Sequence, residues 1–336
     1  MHNLLDPAIL FFAFGVIAGA LKSNLEIPPA IAKFLSLYLL MALGLKGGFA
    51  LAKSGLNPDV AVSLAAAMLM AVIVPAIGYQ LLKRYVSKFD AAAVAASYGS
   101  VSAVTFVTAM QYLEANQMAF GGHMAVAMVL MESPAIIMAV LLANSLRHAE
   151  VTGIAVSATG SAALTVSNGR GNGNSLGKIL HESFTDGAHL LLLGSIAVGL
   201  LSGQAGEAMM KPFSGDLFKG MLAFFLLDMG LMVAKNFGSV RGKSPVLIAY
   251  AALGPLVHAA IALGLAVLLG VPAADAALLM VLAASASYIV VPAVLRYAIP
   301  EANPSLYFGL SLGITFPLNI LFGIPLYTFV ACRVLG

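Results

Sequence analysis

The sequence predicts an all-α polytopic membrane protein with ten transmembrane helices, arranged as two inverted repeats of five, with helices 4 and 9 interrupted. Three observations lead to this prediction. Only 9% of the 336 residues are charged and 61% are hydrophobic, whereas soluble domains carry about 25% charged residues. Apolar stretches of membrane-spanning length recur along the chain. A stretch rich in Gly, Ser and Asn divides them into two similar sets.

Ten segments are long and apolar enough to cross a bilayer as helices, which satisfy their backbone hydrogen bonds internally. They span residues 7–22, 31–52, 59–82, 90–113, 119–146, 187–203, 213–235, 244–270, 273–298 and 304–333. No Lys or Arg precedes Lys22, so we expect the first segment to be a retained helix and not a signal peptide. The single cysteine, Cys332, excludes an intramolecular disulfide.

Basic residues are distributed unevenly between the two sides of these helices. Loops that follow odd-numbered helices carry twelve Lys and Arg, while the opposite side, which includes the C-terminus, carries four. Because basic loops are retained in the cytoplasm, we expect both termini to lie outside the cell inner (plasma) membrane. The linker at 147–186 is then cytoplasmic, and its Gly, Ser and Asn content predicts mobility.

The linker separates a first five-helix repeat at 1–146 from a second at 187–336, and short motifs recur in both in the same order. FGVIAG (14–19) corresponds to LGSIAVG (193–199), LLMALGL (39–45) to LLDMGLM (226–232), and ASYGSVSAVTF (96–106) to AASASYIVVPAVL (283–295). An odd number of spans in each repeat inverts the second relative to the first. Inverted repeats are the architecture of many secondary transporters.

The fourth and ninth helices contain matched interruptions, at Gly99 and Pro292, each accompanied by hydroxyl side chains. A broken helix at membrane depth presents free N–H groups and a positive dipole end, which suit a small anion. We therefore expect a substrate site composed of Gly99, Ser100, Ser102, Ala103, Thr105, Ser285 and Ser287. Hydroxyls of this kind also accept around a cation such as Na⁺. The alternative is that these small residues only allow close helix packing.

Other polar residues lie within the predicted spans. Glu132 precedes Pro134 in the fifth helix, and a carboxylate at that depth favours a functional role over a structural one. Lys46 pairs with Asp228 or extends to the membrane interface, and both interpretations remain open. His258 is interpreted as a packing residue.

Five motifs resemble the sodium-dependent bicarbonate transporter family: LEIPPAIAKFLSLYLLMALGLKGG (25–48), YGSVSAVT (98–105), MESPAIIMAVLLAN (131–144), GPLVHAAIALGL (254–265) and LRYAIPEANPSLYFGLSLGITFPLNILFGIPL (295–326). The resemblance implies an elevator mechanism, in which a core domain slides against a gate domain, assembly as a homotrimer, and Na⁺-coupled uptake of an inorganic anion. It places the anion and the cation between the interrupted helices, with Na⁺ near Thr105 and Ser287. It also implies a PII-like cytoplasmic regulator as a partner.

The chain departs from this family at the interrupted helices. Tyr288 and IVVP follow the serines of the ninth helix, where cyanobacterial members have an aspartate and a Ser-Gly-Pro-Pro run. Ala103 and Val104 likewise stand where the fourth-helix pattern has Gly-Ser. Tyr288 and Glu132 are therefore the candidates for ion coupling, and we expect weaker Na⁺ dependence than in the family.

We expect a secondary active transporter that imports a small inorganic anion, first of all bicarbonate by Na⁺ symport, through alternating access. The alternative is a symporter or antiporter for a small organic anion, coupled to Na⁺ or H⁺. A membrane hydrolase is disfavoured because Ser97 and Ser285 have no His or Asp at supporting spacing. A channel is disfavoured because the polar residues gather at two breaks and do not line a pore. We expect no enzymatic cofactor and no nucleic-acid partner.

Overall fold

The computed structural model describes residues 6–55, 58–155, 187–236, 238, 244–288 and 290–336. Within these ranges the chain forms helices joined by short connections, and no strand occurs. The first helices are α1 Pro7–Ala20, α2 Pro29–Ser54, α3 Pro58–Leu82, α4 Lys88–Gly99, α5 Ala103–Ala115 and α6 His123–Ala155. They are followed by α7 Gly187–Lys211, α8 Leu217–Asn236, α9 Pro245–Leu269, α10 Ala273–Ala284, α11 Val290–Ala298 and α12 Pro304–Leu335.

Helix ends follow from local capping chemistry. The Asp6 carboxylate accepts a hydrogen bond from the Ala8 amide and starts α1, which has a proline in its first turn. Ser87 caps α4 by accepting from the Asp90 amide. Gly270, at φ 70°, ends α9 in the left-handed conformation that glycine adopts without steric cost.

Six helical segments in the described part of the chain are long and apolar enough to cross a membrane: Pro29–Lys53, Pro58–Leu82, Lys88–Ala115, Leu190–Asn236, Pro245–Leu269 and Pro304–Leu335. Shorter apolar helices cover Pro7–Ala20, His123–Glu132 and Ala273–Ala284. The ten predicted segments therefore fall on helices. The sixth and seventh lie on one 47-residue stretch, which changes direction at Gly203 (φ 54°). That all ten cross the membrane stays a prediction.

Two helix pairs form the most extensive contacts of the fold: α1 packs along α8, and α2 packs along α7. Glycines bring these backbones into direct contact. A Cβ on Gly48 would lie 2.8 Å from the Cα of Gly199, and one on Gly15 would lie 3.1 Å from the Cα of Gly230. Close glycine packing of this kind stabilises membrane helices through van der Waals contact. We call α1, α2, α7 and α8 the glycine-packed group.

The remaining helices form a second group, which contains both interruptions. Within it α3 contacts α4 and α6, while α10 contacts α9 and α12. We call α3–α6 and α9–α12 the broken-helix group.

Helix α6 continues past the predicted end of the fifth span, so the predicted linker begins as helix as far as Ala155. On this extension the Arg147 guanidinium binds the Glu301 carboxylate with two hydrogen bonds of 2.7 and 2.8 Å. Arg147 also donates to the Ala298 carbonyl at the end of α11. These contacts tie the end of α6 to the end of α11. The rest of the predicted linker, at 156–186, lies outside the described residues.

Candidate functional site

Both predicted interruptions occur, and the second lies earlier in the chain than Pro292. Helix α4 ends at Gly99 and α5 begins at Ala103, so residues 100–102 are not helical. Helix α10 ends at Ala284, and the non-helical segment begins at Ser285. Pro292 lies in the first turn of α11, where the missing proline N–H costs no helical hydrogen bond. The prediction that Pro292 itself breaks the helix was therefore wrong.

The two interruptions contact each other directly. The Ser287 amide donates to the Ser97 carbonyl at 2.7 Å, and the Ser102 amide donates to the Ser285 hydroxyl oxygen at 2.9 Å. The Ser285 hydroxyl in turn donates to the Leu282 carbonyl of its own helix at 2.8 Å. The structure thus brings together two segments that are about 180 residues apart in the sequence, as their matched motifs predicted.

Each interruption presents the N-terminus of a half-helix. Ser102 caps α5 by accepting from the Thr105 amide, and Ser287 accepts from the Val291 amide in the first turn of α11. The first-turn amides of a helix lack intrahelical acceptors and form the positive end of its dipole. Ala103 is the first residue of α5 and is half-buried. Its amide is therefore one of these first-turn donors.

Three hydroxyls at the first interruption are buried and have no hydrogen-bond partner among the described residues: Ser97, Ser100 and Thr105. Buried hydroxyls are normally satisfied by protein or by ordered water. Three unsatisfied donors at one break, beside the positive end of α5, form an arrangement that can bind a small oxyanion or a water cluster.

Gly99 ends α4 where it packs against Pro75 of α3. A Cβ on Gly99 would lie 2.6 Å from the Cδ of Pro75, a distance that real Cβ atoms do not reach. Pro75 lies inside α3, so its ring occupies the space that a side chain at position 99 would need. Glycine is therefore required where the first break begins.

The two interruptions and the helix ends beside them, residues 97–105 and 285–288, contain no charged side chain. Tyr288 is buried, its ring packs edge-on against Phe316, and its hydroxyl approaches Ser102 without reaching hydrogen-bond geometry. Glu132 is buried on α6, a helix that contacts α4, α10 and α11. The candidate for ion coupling closest to the break is therefore a neutral phenol.

Lys46 pairs with a residue that the sequence did not indicate. Its ammonium lies 2.9 and 3.1 Å from the two carboxylate oxygens of Glu114, and 4.3 Å from the centre of the Phe218 ring. The suggested partner, Asp228, is not the one it contacts. His258 is buried with its ring 6.0 Å from that of Tyr250, and its Nδ1 has no hydrogen-bond partner among the described residues, so its packing role stays a prediction.

Sequence reasoning missed two buried polar residues of α12 that contact the ends of the broken helices. Thr315 is hydrogen-bonded to Tyr98, and Asn319 donates to the Ala284 carbonyl. Both lie in LGITFPLNI (312–320), four residues apart in an apolar helix. That spacing places them on one face of the helix. Two polar side chains on one face of a membrane helix indicate a functional or structural contact, and this pattern could have identified them from the sequence.

A helical membrane protein in which two interrupted helices meet inside the protein has the arrangement of a secondary transporter. The chain matches the family model described as the Na+-dependent bicarbonate transporter superfamily over residues 7–332, and it belongs to that family. The resemblance seen in the sequence is thereby confirmed. A comparison with curated proteins found no match to the chain.

Proposed function

We propose that this protein is a secondary active transporter that imports bicarbonate or a similarly small inorganic anion across the inner membrane. The observation that carries this proposal is the contact between the two interruptions, beside three buried hydroxyls that have no partner in the described part of the chain. Family membership supports a transporter and points to bicarbonate and sodium as its solutes.

The anion binds at the N-terminus of α5. Its negative charge is stabilised by the first-turn amides and the helix dipole. The Ser100 and Thr105 hydroxyls donate to its oxygens, which gives a partner to two groups that have none within the described ranges. No basic side chain lies within the interruptions, so binding relies on hydrogen bonds and dipoles. Such a site favours a small anion that can be released again.

Na⁺ occupies a neighbouring position in this proposal, near Thr105 and Ser287. The Thr105 hydroxyl oxygen has no partner among the described residues, and Tyr98 and Gly99 end α4, where carbonyl oxygens lack intrahelical donors and can coordinate a cation. Without a carboxylate in either interruption, this coordination carries no neutralising charge. We therefore propose Na⁺ symport with weak Na⁺ dependence.

Alternating access arises from movement of the broken-helix group, as core domain, against the glycine-packed group, as gate domain. Direct backbone contact makes the glycine-packed group a rigid unit. The pairing of α1 with α8 and of α2 with α7 supports the inverted repeat, because α7 and α8 carry the motifs that correspond to α1 and α2. Assembly as a trimer, outward-facing termini and a PII-like partner are part of this proposal.

The experiment is uptake of radiolabelled bicarbonate by proteoliposomes at alkaline pH, where leakage as CO₂ is small, with and without a Na⁺ gradient. Formate and acetate as competitors separate an inorganic from an organic anion. The matched variants are Thr105→Val and Thr328→Val, since Thr328 is also a buried threonine and its hydroxyl donates to the Ile324 carbonyl of its own helix.

We expect saturable bicarbonate uptake that Thr105→Val reduces and Thr328→Val preserves. Stronger inhibition of labelled uptake by formate or acetate than by unlabelled bicarbonate would instead identify an organic-anion transporter. Uptake that neither variant changes would contradict the assignment of the anion site to the interruptions.

A further inference from the structure

The last helix, α12, contains two π-helical turns, at Ser311–Thr315 and Asn319–Gly323. Turns of this type are rare, widen the helix locally and occur frequently at functional sites. Thr315 ends the first turn and Asn319 begins the second, and both side chains are almost completely buried. Their hydrogen bonds lead to the two broken helices.

Thr315 anchors the first broken helix. Its hydroxyl donates to the Ala251 carbonyl at 2.7 Å and lies 2.7 Å from the Tyr98 hydroxyl. A threonine hydroxyl has one proton, so Tyr98 must be the donor to Thr315. Tyr98 follows Ser97, whose carbonyl accepts the hydrogen bond from Ser287 across the break. We call the Ser97–Ser287 and Ser102–Ser285 hydrogen bonds the two links between the interruptions. Thr315 is thus hydrogen-bonded to Tyr98, one residue from the first link.

Asn319 anchors the second broken helix in the same way. Its side-chain amide donates to the carbonyl of Ala284, the last residue of α10, at 2.8 Å. The Tyr327 hydroxyl donates to the Asn319 side-chain oxygen at 3.1 Å and so fixes which end of the amide faces Ala284. Ala284 precedes Ser285, which accepts from the Ser102 amide. Asn319 is thus bound one residue from the second link.

We propose that Thr315 and Asn319 are positioning residues that hold the two interruptions in register, so that the Ser97–Ser287 and Ser102–Ser285 links form together. Neither residue needs to touch the transported anion. They act through Tyr98 and Ala284. Their effect on transport rests on the proposed function, whereas their effect on the two links does not.

The test compares variants of α12 that remove a cross-helix hydrogen bond with variants that remove a hydrogen bond of equal burial within the helix. The first set is Thr315→Val and Tyr327→Phe, with Asn319→Leu as a more severe change. The controls are Ser311→Ala and Thr328→Val, whose hydroxyls bond back to the Tyr307 and Ile324 carbonyls of α12 itself. Thr315→Ser keeps the hydroxyl and is the conservative rescue.

Hydrogen–deuterium exchange of the intact protein, followed in peptides covering 96–106 and 283–295, reports the two links directly. We expect Thr315→Val and Tyr327→Phe to speed exchange in both peptides by up to about tenfold, a factor that corresponds to about 1.4 kcal/mol and lies near the value of one buried hydrogen bond. Ser311→Ala, Thr328→Val and Thr315→Ser should exchange as the wild type does. Tyr327→Phe removes one atom, so it remains informative if Asn319→Leu does not fold.

In uptake assays we expect the first set to raise KM several-fold with little change in maximal rate, because the site is distorted while the moving parts are unchanged. Exchange in Thr315→Val equal to that in the controls would overturn the proposal. Faster exchange in a protein that transports no tested anion would support the positioning role and reject the proposed function.

Discussion

The ion pair between Lys46 and Glu114 joins the two helix groups, because Lys46 lies on α2 and Glu114 on α5. If the groups slide during transport, this pair must break and re-form. The perturbation is Glu114→Gln, which removes the charge and keeps the size of the side chain. A second ion pair, Lys53–Glu207, has a similar geometry but joins α2 to α7 within the glycine-packed group. Glu207→Gln is therefore a matched control.

The magnitude follows from the exposure of the pair. The side chains of Lys46 and Glu114 are 20% and 34% exposed, so their pairing is worth about 0.2–1 kcal/mol. The Phe218 ring holds the Lys46 ammonium in place by a cation–π contact. Loss of up to about 1 kcal/mol changes the ratio of two conformations by up to about fivefold.

The assay uses a cavity of 590 Å³ that opens between the groups and is lined by Lys46, Met110 and Glu114 among others. A cysteine at Met110, in a Cys332→Ser background, reports its accessibility to an aqueous thiol reagent. The Lys46–Glu114 pair and the cavity occur in the same conformation, so Glu114→Gln should lower the population of that conformation. Modification of the cysteine at position 110 should then be slower by up to about fivefold. High salt screens the ion pair and should also slow this modification.

Charge reversal at both positions, Lys46→Glu with Glu114→Lys, should restore the modification rate. The reasoning would be refuted if Glu114→Gln and Glu207→Gln gave the same rate, or if the double reversal behaved as the sum of the single changes.

Three further predictions concern single carboxylates and Tyr288. Glu132→Gln should lower transport with assembly preserved, and unchanged uptake with unchanged cation dependence would assign Glu132 to structure. Tyr288→Asp should strengthen Na⁺ dependence of uptake if the variant folds, whereas Na⁺ dependence that survives both Glu132→Gln and Tyr288→Phe would place the coupling site elsewhere. The hydrogen-bonded Arg147 guanidinium lowers the pKa of Glu301. The ion pair therefore stabilises the folded protein at neutral pH, and this stabilisation is lost as pH falls through the lowered pKa of Glu301. The small difference in melting temperature between wild type and Glu301→Gln should therefore vanish in acid, and a constant difference would contradict this assignment.

The helices and the meeting of the two breaks were predictable from the sequence, because long apolar segments and matched motifs are local and repeated signals. The position of the second break was not. Pro292 is compatible both with a helix break and with a first turn, and the structure uses it in the first turn of α11. The break falls instead on Ser285–Tyr288, where the Ser287 amide and the Ser285 hydroxyl form hydrogen bonds with the first interruption.

Partners between distant helices were the least predictable part of the site. The sequence left open whether Lys46 pairs with Asp228 or extends to the membrane interface, and the structure pairs it with Glu114 because α2 and α5 meet where the two groups touch. Thr315 escaped notice because a hydroxyl in a membrane helix commonly bonds to its own backbone, as Ser311 and Thr328 do on the same helix. The sequence does not distinguish a threonine that bonds back from one that reaches across.

The central claim is that the anion binds where the two interruptions meet, and the equilibrium dissociation constant for bicarbonate tests it most directly. The measurement compares Thr105→Val with Thr328→Val in purified protein, because both changes remove one buried hydroxyl and only Thr105 lies at the break. Loss of one hydrogen bond to the anion, worth about 0.5–1.5 kcal/mol, predicts a Kd raised about twofold to twelvefold in Thr105→Val, with Thr328→Val unchanged. Equal dissociation constants in the two variants would contradict the claim.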